Sequence, residues 1–427
     1  MGLTVLLGVF AVCVVAGVPV AFALGIAAVS AFYAEGLPLI IAFQRIVSGI
    51  NIFSLMAIPF FIFAGELMFH GGIAVRLVRF ASAAVGAARG GLGIVNVFSS
   101  MLFGGISGSA VADISALGSI LIPVMKEKGY DDDYAVNVTV TSSIAGIMIP
   151  PSHNMILFAV AAGGGISISK LFLAGVVPGV VMCICLAVAA YVIAVRRGYS
   201  SEAFPGLKIL ALHFITALPG LFTAVIIVGG VLSGVFTVTE SGAFGTLYAF
   251  IVTIIVYRAL TWENFKLAVI NSVRTTSMVM ILVASAAAFA YMLTFFQVPS
   301  RMIDLMTGIS DNPIVILLMM NLMLLVLGMI MDMAALILIC TPIFLPVAAS
   351  IGVDPLQFGM ILMMNLGLGL CTPPVGACLF VGCAVGKVPI ERAVRTIWPF
   401  YAAILVALML TTFVPAISLT LPNLLTN

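Results

Sequence analysis

The sequence predicts an all-α polytopic membrane protein made of two inverted repeats, each with a re-entrant helical hairpin and a broken helix. Three observations predict it. Of the 427 residues, 63% are hydrophobic and only 7% are charged, and the mean hydropathy is +1.32, which is too little charge for a surface in water. Apolar runs near twenty residues recur along the chain, and the period-two alternation of an outer-membrane barrel is absent. Residues 105 to 151 return in outline 223 positions later: Gly105, Ala112, Ile114, Ile120, Pro123, Val124, Gly129, Asp131, Gly146, Pro150 and Pro151 match Gly328, Ala335, Ile337, Ile343, Pro346, Val347, Gly352, Asp354, Gly369, Pro373 and Pro374. A gapless offset that keeps two Pro-Pro pairs in register marks two related halves that interrupt their helices at the same place, as secondary transporters do around a midplane site.

The chain opens without a basic n-region and has no small-residue cleavage site before Glu35, so 3–33 reads as a first membrane helix and not as a removed signal. A second span, 52–69, is followed by a stretch from His70 to Gly91 that is too polar to cross lipid. With Arg76, Arg79 and Arg89 that stretch reads as an interfacial arm, and it closes a scaffold segment, 1–91. Residues 92–125 are apolar but broken at Gly104-Gly105-Ile106-Ser107-Gly108-Ser109. The roughly 12 to 16 residues on either side, at about 1.5 Å each, cannot span a core of about 30 Å, so a re-entrant hairpin fits better than a crossing. A span 132–163, broken at Pro150-Pro151, and an unbroken span 171–195 complete a transport-body half, 92–197. The polar linker Arg196 to Lys208, a connecting helix 209–233, spans 240–258 and 270–296, and a second arm, Val298–Ser310, fill 198–312. The last segment, 313–427, holds a hairpin 313–347 broken near Gly328–Met333, a broken span 357–386 and a closing span 393–421.

Nine complete spans and two hairpins would place the termini on opposite sides. On the N-terminal side this count puts Arg76, Arg79, Arg89, Lys126, Lys128, Arg196, Arg197, Lys208, Arg258, Lys266, Arg274, Lys387, Arg392 and Arg395. The other side receives only Arg45, Lys170 and Arg301. Fourteen against three is a positive-inside bias, from which a cytoplasmic N-terminus and an outward C-terminus are expected. Hairpin 92–125 then enters from the cytoplasm and hairpin 313–347 from the outer face, so the halves are inverted. In so apolar a chain the net charge of +2 says nothing about nucleic acid, and no nucleic-acid partner is expected. The seven cysteines lie in apolar segments without metal-ligand spacing and read as packing residues.

Backbone leaves the helical state at membrane depth only where protein or a cavity covers it, because unpaired peptide groups in hydrocarbon are costly. Four breaks therefore imply a polar centre, where helices ending in carbonyls suit a cation and helices beginning in N–H groups suit a carboxylate. The first tip offers Gly105, Ser107 and Ser109, and the first break offers Ser152 and Asn154 after Pro150-Pro151. The second half offers Gly328, Asp332, Thr372 and Gly376 around Pro373-Pro374. Such hard oxygen ligands suit Na⁺. The expected cation ligands are Gly105, Ser107, Ser109, Asn154, Gly328, Asp332, Thr372 and Gly376, and Ser107 and Ser152 are expected to meet a substrate carboxylate. Asp113 is expected to support a helix start in preference to a cation shell, and Glu66 and Glu240 to pair structurally. The plainer alternative is close helix packing at the small residues and a kink without a ligand at the prolines.

Two other classes compete with this reading. Gly105-Ile106-Ser107-Gly108 also spells a motif of rhomboid intramembrane serine proteases, with His153 as a conceivable base, but that dyad would leave the second repeat without a purpose. A passive pore would show a polar or charged ring recurring along one span, and none is visible. No enzymatic activity is expected.

At these residues the chain resembles the large membrane subunit of the tripartite ATP-independent periplasmic (TRAP) transporters. The matching stretches are AIPFFIFAGELM (57–68), GGISGSAVADISALGSILIPVMKEKGY (104–130), IPPSHNMILF (149–158), TVTESGAFG (237–245), GMIMDMAALILICTPIFLPV (328–347) and CTPPVGACLF (371–380). His153 and Ser241-Gly242 depart mildly from what the family leads one to expect. The resemblance implies an elevator-type, Na⁺-coupled importer in the bacterial inner membrane. It would take a small organic anion, of the C4-dicarboxylate or sialic acid type, from a soluble periplasmic binding protein. It also implies a small four-helix membrane subunit, expected as a separate polypeptide because no such segment precedes residue 3. No organic cofactor is implied. A divalent-anion carrier that works alone with Na⁺ shares the architecture and remains the alternative.

Overall fold

The computed structural model describes residues 1–201 and 203–425. Glu202, in the linker, and Thr426 and Asn427, at the end of the last segment, lie outside the described residues. All regular structure among the described residues is helical.

The first repeat begins with a departure from expectation. The single span 3–33 is two helices, α1 (Gly2–Val15) and α2 (Val20–Ala34), packed side by side. Gly17 takes a left-handed φ of +78° and Pro19 stands before the first turn of α2. The chain doubles back there because glycine accepts that conformation and proline cannot continue a helix. The Gly2 amide consequently donates to the Glu35 carboxylate at 2.7 Å. Residue 1 and residue 35 thus lie at the same end of the helix pair. Next come α3 (Leu39–Ile50), a short turn at Phe53–Met56 and α4 (Ala57–His70), then the arm α5 (Ile73–Val85).

The expected hairpin is α6 (Gly91–Ser107) descending, and α7 (Ala110–Asp113), a wide turn (Ile114–Gly118) and α8 (Ser119–Glu127) returning. The broken span is α9 (Asp132–Ser142), α10 (Ala145–Met148) and α11 (His153–Ala161), bent by 53° at its break. The closing span is α12 (Ile168–Arg196).

In the second repeat α13 (Leu207–Leu232) leads to α14 (Val238–Ile251), which runs on through Val252–Val256. The expected span 270–296 begins earlier, as α15 (Trp262–Phe295, 34 residues). Its first turns carry Glu263, Asn264 and Lys266, which hide them from a hydropathy reading, while the Thr261 hydroxyl caps them by accepting from the Asn264 amide at 3.2 Å. Then follow the arm α16 (Val298–Ile309), hairpin limbs α17 (Pro313–Gly328) and α18 (Met333–Ser350), and the broken span α19 (Pro355–Leu370) and α20 (Ala377–Gly386). The closing span 393–421 is three pieces: α21 (Ile390–Thr396), α22 (Trp398–Phe413), bent from it by 56°, and α23 (Pro415–Leu425). Pro399 and Pro415 each fall where a new piece starts, the position proline tolerates. Among the described residues six helical stretches are long and apolar enough to cross a membrane, and two bent pairs raise this to eight.

The two hairpins enter from opposite ends. The base of the first lies beside the end of α12: Arg197 pairs with Asp131 and Asp133, and Lys126 reaches the Gly386 carbonyl. The base of the second lies by the start of α12, since a side-chain carbon added at Gly359 would meet Phe158 and Leu171. The first of these ends also gathers the arm α5 and the starts of α13 and α15. Phe80 packs on Phe214, and Arg76 lies over Tyr257.

Candidate functional site

The first tip is pressed against the first break. α6 stops at Gly108, whose φ of +61° turns the chain, and a side-chain carbon there would stand 2.9 Å from the Pro151 carbonyl oxygen. The same construction at Gly105 would come within 3.3 Å of the Pro150 carbonyl, and at Gly146 within 3.2 Å of the Ser109 carbonyl. Only glycine lets these backbones meet so closely. Ser109 caps the returning limb, its hydroxyl accepting from the Ala112 amide at 3.4 Å. The Pro150-Pro151 bond is cis, as is Pro373-Pro374 in the second break. Ser107 and Ser152 are buried, and neither hydroxyl has a hydrogen-bond partner among the described residues. Leaving a buried hydroxyl unpaired costs about 1–3 kcal/mol, so two of them at one junction call for an explanation. Asn154 is also buried, in the first turn of α11.

The second tip and break meet through backbone. The Val375 amide donates to the Met329 carbonyl at 3.1 Å, and Gly369 sits so close to Gly328 that a side-chain carbon would collide with its carbonyl. Asp332 caps α18, accepting from the Ala334 amide at 3.0 Å; the Thr372 hydroxyl donates to the Leu368 carbonyl at 2.7 Å; Gly376 opens α20 with a φ of +35°. Both polar side chains here are engaged by their own helices, unlike Ser107 and Ser152. The two broken spans cross each other, with the Cys371 thiol donating to the Val140 carbonyl at 3.4 Å and Gly367 against Ile144. No hydrogen bond among the described residues joins the first-tip hydroxyls to Asp332 or Thr372.

A cavity of about 340 Å³ lies among the first tip, α4 and α15, beside the point where Gly65 of α4 packs on the Ser107 backbone. Ser107, Ser109, Ser115 and His153 line one wall, and Gly65, Glu66, Asn271 and Thr275 the other. Glu66 accepts from Asn271 at 3.1 Å and faces His70 at 3.4 Å, while Glu240 forms a capping box with Thr237. Both acids pair structurally, as expected. No hydrogen bond links Ser107 to His153, so the nucleophile and base of a hydrolase are not assembled.

Asp113 stands in the first turn of α7, at the helix start it is expected to support. It is fully buried and accepts from the Ser100 hydroxyl at 2.7 Å, and its second oxygen has no partner. It faces the other limb of its own hairpin and does not cap a helix. Ser100 lies 3.0 Å from the Ser142 hydroxyl, Ser142 donates to Asn96 at 3.2 Å, and Asn96 donates to Thr139 at 2.6 Å. Sequence reasoning missed this polar seam. Its signal is the spacing of three and four between Asn96, Ser99 and Ser100, and between Thr139, Ser142 and Ser143, which puts the polar groups on facing stripes of two helices. Among the described residues no group of three His, Cys, Asp or Glu could hold a metal ion, so hydroxyls, carbonyls and single carboxylates are the donors on offer.

Known proteins share this whole architecture. The chain is 38% identical over 417 residues to the sialic acid TRAP transporter large permease SiaM of Vibrio cholerae, covering 96% of each chain. It is 34% identical to the C4-dicarboxylate TRAP transporter large permease DctM of Rhodobacter capsulatus, over the full length of both. Among solved structures the fold is similar to that of the Alcanivorax borkumensis YdaH transporter, with a TM-score of 0.67 at 12% identity over 89% of each chain. Residues 7–417 match the family model described as the tripartite ATP-independent periplasmic transporter, DctM component, and the chain belongs to that family.

Proposed function

We propose that this chain is the large permease of a Na⁺-coupled importer of a small organic anion. The related permeases carry sialic acid and C4-dicarboxylates by name, and an anion of either type suits the helix starts at the two breaks. The observation that carries the coupling is the pair of unpartnered, buried hydroxyls on Ser107 and Ser152, on opposite sides of a junction rich in backbone carbonyls. A Na⁺ ion held there would satisfy both, with Gly105, Ser109 and Asn154 completing the first site. Gly328, Asp332, Thr372 and Gly376 would form a second. A bound ion would fix the tip loop and so shape the surface that Ser107 and Ser152 offer to the substrate carboxylate.

Movement is proposed as an elevator. The scaffold is α1–α4 with α13–α15, the moving body is α6–α12 with α17–α23, and α5 and α16 join them. The cavity beside the first tip is walled by Asn271 and Thr275, in the first half of α15, which fits a body lowered toward the basic end. By the positive-inside rule that end is cytoplasmic, in the inner membrane. With α1 and α2 doubled back, the proposal has the N-terminus at the outer end with the C-terminus, in place of the cytoplasmic N-terminus expected from a single crossing over 3–33. A periplasmic binding protein and a small membrane subunit are the partners.

The test is uptake into proteoliposomes that hold the permease and its small subunit, with binding protein outside and an imposed Na⁺ gradient. Uptake should collapse when Na⁺ is replaced by K⁺, and Ser107→Ala or Ser152→Ala should raise the half-saturating Na⁺ concentration about tenfold, the equivalent of about 1.4 kcal/mol. Unchanged uptake in K⁺ would end the coupling proposal. Full uptake without the binding protein would favour a carrier that works alone.

A further inference from the structure

A groove of about 530 Å³ between the arm α5 and the connecting helix α13 has no part in the mechanism above. Arg76 and Arg79 face His213 and Thr216 across it, with Val75 and Leu212 at its rim, and no acidic side chain lines it. Neither arginine forms an ion pair among the described residues. Arg76 is held in place: its guanidinium lies 3.9 Å from the centre of the Tyr257 ring and donates to the Gly72 carbonyl at 2.8 Å. Tyr257 is itself tied to α13, accepting from the Gly220 amide at 2.8 Å and donating to the Thr216 carbonyl at 3.2 Å. Arg79 is exposed, and so are the two apolar rim residues, Val75 at 38% and Leu212 at 59%.

Two unpaired guanidiniums beside exposed apolar side chains match a ligand that is a phosphate at one end and a hydrocarbon chain at the other. We infer that this groove binds an anionic phospholipid of the inner leaflet, its headgroup on Arg76 and Arg79 and an acyl chain along Val75 and Leu212. The repeat supports this choice. One offset later, in the outer arm α16, the positions of Arg76 and Arg79 are held by Pro299 and Met302. The outer arm carries one arginine, Arg301, in place of the pair, so the two-arginine groove belongs to the end where, on the proposed sidedness, anionic lipid is densest. Because α5 joins scaffold to hairpin, a lipid bridging α5 and α13 braces the hinge on which the body moves. The leaflet rests on the sidedness proposed above; the lipid class does not, and the test reads lipid class without reference to side.

The permease, purified with its small subunit, is placed in nanodiscs of phosphatidylcholine containing a minority of phosphatidylglycerol or cardiolipin, and retained lipid is counted by native mass spectrometry. Anionic lipid should be retained about tenfold over phosphatidylcholine, in line with the attraction of two basic residues. Arg79→Gln, at an exposed position, should abolish most of that preference while melting in pure phosphatidylcholine stays unchanged, and Leu212→Ala should weaken it without touching the charge. Equal retention of both lipids, or an Arg79→Gln variant that keeps the preference, would overturn the inference. So would stabilisation by inorganic phosphate alone equal to that by phosphatidylglycerol, which would make the ligand a free anion. A lipid preference that appears only when the small subunit is removed would also overturn it, because the groove would then be a protein interface.

Discussion

Gly108 and Gly129 show how one residue type serves two ends. Both have left-handed backbone, at +61° and +80°, but a side-chain carbon at Gly129 would find no heavy atom within 4 Å while one at Gly108 would press on the Pro151 carbonyl. Gly129→Ala should therefore cost only the backbone strain, about 1 kcal/mol, and leave uptake intact. Gly108→Ala adds a contact that forces the tip off the break. It should cost about 1–3 kcal/mol and remove most uptake. Thermal unfolding and transport of the two variants check this, and the reverse order would mean that the tip does not need its close approach. Asp113 offers a second residue-scale case. With Ser100 as its one donor, Ser100→Ala leaves a buried carboxyl with no partner, a loss of about 1–3 kcal/mol. In a cycle with Asp113→Ala the two losses should not add, because both remove the same bond. Additive melting shifts would show that Ser100 and Asp113 act independently.

At the scale of elements, helix ends decide what the sequence disclosed. Both Pro-Pro breaks and the glycine-rich first tip were legible, because proline and clustered glycine leave few conformations open, and the repeat carries Gly105 over to Gly328 at the second tip. The turn at Gly17-Val18-Pro19 was hidden, since the flanking residues are as apolar as a single crossing requires and hydropathy carries no mark of direction. The start of α15 was hidden for the opposite reason: Glu263 and Lys266 are polar, yet a Thr261 cap begins the helix there. At the candidate site the tip and break residues were visible as motifs, whereas the seam through Asn96, Ser100, Asp113 and Ser142 depends on which faces of two helices meet. The end of α12 yields a prediction at this scale. Arg197 forks onto Asp133 with two bonds of 2.9–3.0 Å and reaches Asp131 with a third of 2.9 Å, tying the closing span to the start of α9. Its bond to the Asp133 carboxylate raises the guanidinium pKa further above an already high value, and burial pushes the neighbouring Tyr199 hydroxyl up to about 12. Arg197→Lys keeps the charge and loses the fork, so it should still lower stability, by about 1–2 kcal/mol. A lysine variant that melts with the parent protein would show that charge alone holds the two ends.

For the whole molecule the governing fact is inversion: two copies of one hairpin approach from opposite ends, and on the proposed elevator this would let a single body present its centre to either side. The first copy's base belongs to the end that holds Arg197, Lys126 and Arg392, and the second copy's base to the far end, near Phe158 and Leu171. On the sidedness proposed from the positive-inside bias, the first end is cytoplasmic. Counting back through α4 from that end, the loop after α2 faces outward whether or not α1 and α2 double back, and the bond from Gly2 to Glu35 puts the N-terminus at the same end as that loop. An epitope inserted after Gly36 should be reached by antibody in intact spheroplasts, and so should one placed beside Asp311, at the base of the second hairpin. An epitope inserted after Gly198, beside the Arg197 clamp, should be reached only after the membrane is opened. These three readings test the inversion but not the first segment, since a single crossing over 3–33 would leave all three unchanged and would differ only in putting the N-terminus inside. A tag ahead of Met1 is therefore the deciding fourth measurement: reached from outside it supports the doubled-back pair, and reached only from within it restores the single span. If the Asp311 and Gly198 epitopes proved accessible from the same side, the inversion itself would fall, and with it the reason for expecting one body to serve both faces of the membrane.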